Sequence, residues 1–84
     1  MYEVFLERSA ERALKRLSRR DFTRIITAIR ELAANPRPSG CRKLSGGDQD
    51  WRLRVGDYRV LYEIDDAARA VRVLLVRHRR EAYR

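Results

Sequence analysis

Cysteine, histidine and lysine are nearly missing from this chain of 84 residues. The single cysteine, Cys41, excludes an internal disulfide, and with only one histidine, His78, there is no metal-ligand spacing. A Ser-His-Asp triad is disfavoured for the same reason. No Walker loop and no Gly-x-Gly-x-x-Gly run is present, which leaves no motif for a nucleotide cofactor. No apolar run approaches the roughly 20 residues of a membrane span. The opening Met-Tyr-Glu-Val-Phe-Leu-Glu lacks the basic leader of a signal peptide. These absences predict a soluble, cytoplasmic protein with no metal, no cofactor and no membrane partner.

The scarcity of lysine has a counterpart. Lys and Arg together number 20 against 12 Asp and Glu, for a formal charge of +8, yet only Lys15 and Lys43 are lysine. An excess of this size favours polyanionic partners. Arginine binds phosphate bidentately and stacks on bases, which moves the expectation toward nucleic acid. At 44% hydrophobic residues the chain should fold, and its length allows a single domain over residues 1–84.

Along the chain, Tyr2 to Glu7 alternates like a strand. Ser9 is the expected N-cap of a first helix carrying Ala10, Ala13, Leu14 and Leu17 at helical spacing. After a break at Ser18 to Asp21, a second helix shows the clearest period: Phe22, Ile25, Ile26, Ile29, Leu32 and Ala33. Asn35-Pro36-Arg37-Pro38 stops it. A short strand at Cys41 to Leu44, a Ser45-Gly46-Gly47-Asp48 loop, a hairpin, a turn at Asp65-Asp66 and a strand from Ala70 to Arg77 follow. The near-continuous apolar centre of that last strand predicts an interior place in the sheet. The order β-α-α-β-β-β is an α+β domain, with a two-helix hairpin on one face of a small, mainly antiparallel sheet.

The hairpin, residues 51–64, carries most of the information. Two alternating segments flank Gly56-Asp57, a pair suited to a two-residue turn. The implied register sets Val55 against Tyr58, Leu53 against Val60 and Trp51 against Tyr62, an apolar face fit for a core. The other face then holds Arg52, Arg54 and Arg59, with Arg54 directly across from Arg59. Like charges placed opposite each other are destabilising. A hairpin that keeps them points to an anion, against the simpler reading of a solvated or protein-docking face. A second concentration follows the last strand: Arg77, Arg79, Arg80 and Arg84, offset by Glu81. This equipment suits phosphate chemistry on RNA, where the substrate supplies its own 2′-hydroxyl as nucleophile. Arginines would stabilise the developing charge, and one proton carrier would suffice beyond them.

The ordered set Ala10-x-x-x-Leu14-x-x-Leu17, Asn35-Pro36-x-Pro38, Lys43-Leu44, Trp51-Arg-x-Arg-x-Gly-x-Tyr-Arg-x-x-Tyr62 and His78-Arg79-x-x-x-Tyr83-Arg84 closely resembles the RelE/ParE toxin superfamily, on its RelE side. The resemblance spans essentially the whole chain. It implies a toxin of a type II toxin–antitoxin system: a metal-independent endoribonuclease that cleaves mRNA in the ribosomal A site. It also implies a cognate antitoxin that blocks the toxin and through which operator DNA is reached. By this resemblance the catalytic positions fall on Arg52, Arg54, Arg59, Arg79 and Tyr83, with His78 as a further candidate. Arg42, Lys43, Arg77, Arg80 and Arg84 would bind RNA. The family's middle-strand pair is lysine in its best-known member and arginine here. Arginine does not deprotonate near neutral pH, so proton abstraction is expected of Tyr83 or His78. The alternatives are a ParE-like inhibitor of DNA gyrase, which acts by protein contact, and a passive RNA-binding module.

Overall fold

The computed structural model describes residues 1–44 and 50–80. The Ser45 to Asp48 loop of the sequence reading, with Tyr83 and Arg84, lies outside the described residues.

The chain runs β1 (Glu3–Leu6), α1 (Arg8–Lys15), α2 (Arg19–Glu31), β2 (Cys41–Lys43), β3 (Asp50–Val55), β4 (Tyr58–Asp65) and β5 (Ala70–His78). The sheet order is β1-β5-β4-β3-β2. β1 pairs parallel with β5, and the other three contacts are antiparallel. β5 therefore has neighbours on both sides, as its apolar run requires. The fold class is the one the residue pattern predicts: two helices on one face of a small α+β sheet.

The β3–β4 register matches the alternation, Val55 with Tyr58, Arg54 with Arg59, Leu53 with Val60 and Trp51 with Tyr62. Gly56 takes φ +60 at the first turn position, the place a II′ turn reserves for glycine. One face of the sheet thus turns Leu53, Val60, Tyr62, Ile64, Val71, Val73 and Val76 toward Ala10, Leu14, Ile25, Ile29 and Leu32 of the helical layer, all of them buried. The outer part of the α2 stripe is less covered, and Phe22 stays 40% exposed.

Ser18 caps α2, its Oγ accepting from the Asp21 N–H at 3.2 Å. Ser9 does not cap α1. The cap position is Glu7, and Ser9 instead donates its hydroxyl to the Leu74 carbonyl at 2.6 Å. That carbonyl belongs to a β-bulge. Leu61 pairs with Leu75 and Tyr62 with Val73, so Leu74 has no partner on β4. A bulge leaves ladder groups unpaired and shifts the side-chain alternation by one residue. Val71 and Val73 face the core before it, Val76 and His78 after it, and Leu75 and Arg77 are sent to the opposite face.

The Asn35-Pro36-Arg37-Pro38 segment is fastened to the far end of the sheet. The Tyr62 hydroxyl, buried beneath it, donates to the Pro36 carbonyl at 2.9 Å. Burial, with Cys41 nearby, pushes the Tyr62 hydroxyl pKa up strongly. Arg37 lies over the Trp51 ring, 5.1 Å from its centroid, and forks onto Asp66 at 2.8 and 3.2 Å. Tyr2 donates to the same carboxylate at 2.6 Å. This pair of donors holds Asp66 at about 2, against an ordinary 3.8.

Candidate nucleic-acid interface

Among the described residues no helix covers the second face of the sheet, and strand register dictates what stands on it. Arg54 pairs with Arg59 and Arg59 with Arg77, so three arginines cross β3, β4 and β5 in one row. The next row is Arg42, Arg52, Leu61 and Leu75 across β2, β3, β4 and β5. Arg77 joins only because of the bulge. In strict alternation from Val71 and Val73 it would have pointed at the core.

Two depressions mark this surface. One, about 250 Å³, is lined by Leu44, Arg52, Arg59, Leu61 and Arg77, an apolar floor with a cationic rim. The other, about 240 Å³ at the hairpin tip, is lined by Arg54, Gly56, Asp57, Tyr58, Arg59 and Arg79. Arg59 belongs to both. Arg79 is brought there by its backbone, whose N–H donates to the Asp57 carbonyl at 2.7 Å. Its guanidinium stands 3.8 Å from the exposed Asp57 carboxylate. The structure therefore gathers Arg42, Arg52, Arg54, Arg59, Arg77 and Arg79, and such forked cations can hold two or more phosphates at once.

The remaining candidates stand elsewhere. Lys43 pairs with Trp51, in the row that continues to Tyr62 on the helix side. His78 pairs with Tyr58, again on the helix side, and the two rings meet edge to face at 5.1 Å and 89°. Its Nδ1 accepts the Arg80 N–H at 3.2 Å, so in the neutral ring that tautomer's one lone pair is already engaged. His78 thus lies across the sheet from the arginine rows, because the bulge re-aims the end of β5. Arg80 is exposed beside it. The sequence reading missed that Ser9 serves the bulge carbonyl of Leu74, because a serine before a helical period ordinarily is a helix cap.

Residues 4–83 match the family described as ParE toxin of type II toxin–antitoxin system, parDE. The chain belongs to the ParE toxin family, within the RelE/ParE superfamily. This toxin is also similar in structure to solved RelE proteins. In the archaeal RelE–RelB complex from Pyrococcus horikoshii the match has TM-score 0.84 and 26% identity, covering 93% of this chain and 94% of that one. For the RelBE2 toxin–antitoxin complex from Mycobacterium tuberculosis the values are 0.79 and 29%, with 92% and 96% covered. For the isolated Escherichia coli RelE toxin they are 0.81 and 20%, with 99% and 96% covered. The last likeness is one of fold. No curated protein sequence matches the chain.

Proposed function

We propose that this toxin is a ribosome-dependent endoribonuclease that cleaves mRNA in the A site, works in the cytoplasm and is neutralised by a cognate antitoxin. The observation that carries the reading is the Arg54–Arg59–Arg77 row on the uncovered face, extended by Arg52 and Arg79. Like charges in adjacent register cost stability, and an RNA phosphate between them reverses the sign. The 2′-hydroxyl of the nucleotide before the scissile bond attacks phosphorus, the bond to the 5′ oxygen breaks, and a 2′,3′-cyclic phosphate is left. Arg54, Arg59 and Arg79 hold the phosphate and stabilise its growing negative charge, while Arg52 and Arg77 position the strand. None of them can take the 2′-hydroxyl proton. With His78 across the sheet, that role goes to Tyr83 as its phenolate, and the phenol so formed gives the proton to the departing 5′ oxygen. Arg42, Arg80 and Arg84 add phosphate contacts. The antitoxin is proposed because the Pyrococcus and Mycobacterium relatives are toxin–antitoxin complexes. Contact with operator DNA would pass through it.

The family match itself favours a second reading, a ParE-like inhibitor of DNA gyrase that acts by protein contact. Purified toxin incubated with programmed ribosomes, and separately with gyrase and plasmid, separates the two. The nuclease reading expects A-site cuts on ribosomes, lost in Tyr83→Phe, and unaltered supercoiling. Intact mRNA with blocked supercoiling would overturn it.

A further inference from the structure

The corner between the helices carries a cluster of cations that the open face does not explain. Residues 12–20 include Arg12, Lys15, Arg16, Arg19 and Arg20 and no carboxylate. All five are exposed, and none makes an ion pair with another described residue. Helix electrostatics accounts for only part of this. Arg12 and Lys15 sit in the last turn of α1, where the negative end of the helix dipole favours them. Arg19 and Arg20 begin α2, where the positive end opposes them and the acid Asp21 is the fitting residue. Cations kept against the local field have the same signature as Arg54 facing Arg59.

The corner connects to the open face around the hairpin tip. A depression of about 290 Å³ beside it is lined by Ala13, Arg16, Leu17, Tyr58, Val76 and His78. It shares Tyr58 and His78 with a niche of about 90 Å³ that also holds Arg24 and the carboxylates of Asp21 and Asp57. That niche shares Asp57 and Tyr58 with the Arg54–Arg59–Arg79 depression. Arg24 closes the gap: a Cβ on Gly56 would stand 3.0 Å from its Nη2, so its guanidinium lies against the turn. The Asp57 carboxylate on this route is offset by Arg79 at 3.8 Å.

We propose that the α1–α2 corner is a second phosphate-binding surface, which holds the backbone of a single-stranded RNA after it passes from the open face around the hairpin tip. The proposal rests on the open face being an RNA site. Four of the five corner cations are arginine, whose fork fits phosphate. The Tyr58 and His78 rings along the route offer edges and faces to unstacked bases, as single-strand binders commonly do. An acidic peptide would use the charge but not those rings.

The test is equilibrium binding of uncleavable 2′-O-methyl strands to the full chain, followed by fluorescence anisotropy over a range of salt. One strand has about 12 nucleotides and one about 4, bracketing the range of a small binding surface. Arg16→Gln/Arg19→Gln/Arg20→Gln should bind the long strand at least about tenfold more weakly. Its slope of log affinity against log salt should be shallower by about 2, three contacts at roughly 0.7 each. The short strand should bind as in the unsubstituted toxin. Arg19→Gln/Arg20→Gln should give a smaller change in the same direction. Unchanged long-strand affinity and slope would overturn the proposal. So would loss of binding to a poly-glutamate peptide with RNA binding intact, which would make the corner a protein-docking surface. If Arg54→Gln/Arg59→Gln binds both strands normally, the RNA reading of the open face fails and the corner proposal with it.

Discussion

Arginine is used in opposite ways at the two ends of this sheet. At the end near the β4–β5 turn, two arginines meet carboxylates: Arg37 with Asp66 at 2.8 Å and Arg72 with Glu7 at 3.3 Å. At the hairpin tip, strand arginines meet arginines in register, Arg54 with Arg59 and Arg59 with Arg77, while Arg79 stands a long 3.8 Å from the Asp57 carboxylate. The first arrangement fastens a loop and an edge strand. The second sets like charges opposite each other, which costs stability, and it is the arrangement we propose for binding an external anion. Residue type alone therefore says little, whereas the register partner separates structural arginines from those we assign to RNA.

That contrast can be broken most directly in the cleavage assay. Arg59→Ala should lower ribosome-dependent mRNA cutting by about 10²–10³-fold, the usual loss when a group stabilising transition-state charge is removed. Arg72→Ala, from the paired end, should leave cutting unchanged. Equal losses in the two variants would erase the distinction. Tyr62→Phe, under the paired-end loop, should instead cost stability. It leaves the buried Pro36 carbonyl without its donor, a loss of about 1 kcal/mol read by urea unfolding, with cleavage intact.

Acid should act on the paired end first. Arg37 and Tyr2 depress the Asp66 carboxyl from 3.8 to about 2, so between these values the unfolded chain binds the proton more readily. The stabilisation is complete above about pH 4 and is lost as pH falls toward 2. Asp66→Asn should flatten this part of a plot of urea midpoint against pH, and an unaltered slope would remove Asp66 from the account. The smallest effect belongs to the tip. Arg54→Thr relieves a cross-strand repulsion and should raise stability by a few tenths of a kcal/mol while weakening cleavage. A decrease in stability would mean that Arg54 has a structural role.

Much of this architecture was legible in the residues. The stripe Ile25, Ile29, Leu32 needs only helical period, and the β3–β4 register follows from alternation about Gly56, whose positive φ requires a glycine-like position. The Arg54–Arg59 juxtaposition came with that register. The bulge was not legible, because Val71-Arg72-Val73-Leu74-Leu75-Val76 is apolar enough to satisfy either phase. The hydrogen bond that satisfies its Leu74 carbonyl, from the Ser9 hydroxyl, joins positions 65 residues apart. The place of His78 across the sheet from the arginines depends on that one extra residue. The cationic corner was visible as composition, but its continuity with the hairpin tip depends on how α2 lies across Gly56.

Mapping mRNA 5′ ends on translating ribosomes after induction tests the central claim most directly, with the unsubstituted toxin and Arg59→Ala run side by side. The account predicts new ends clustered within A-site codons for the unsubstituted toxin and their near-absence in the variant. Intact mRNA accompanied by gyrase-linked DNA breaks, or cutting that persists without Arg59, would contradict it.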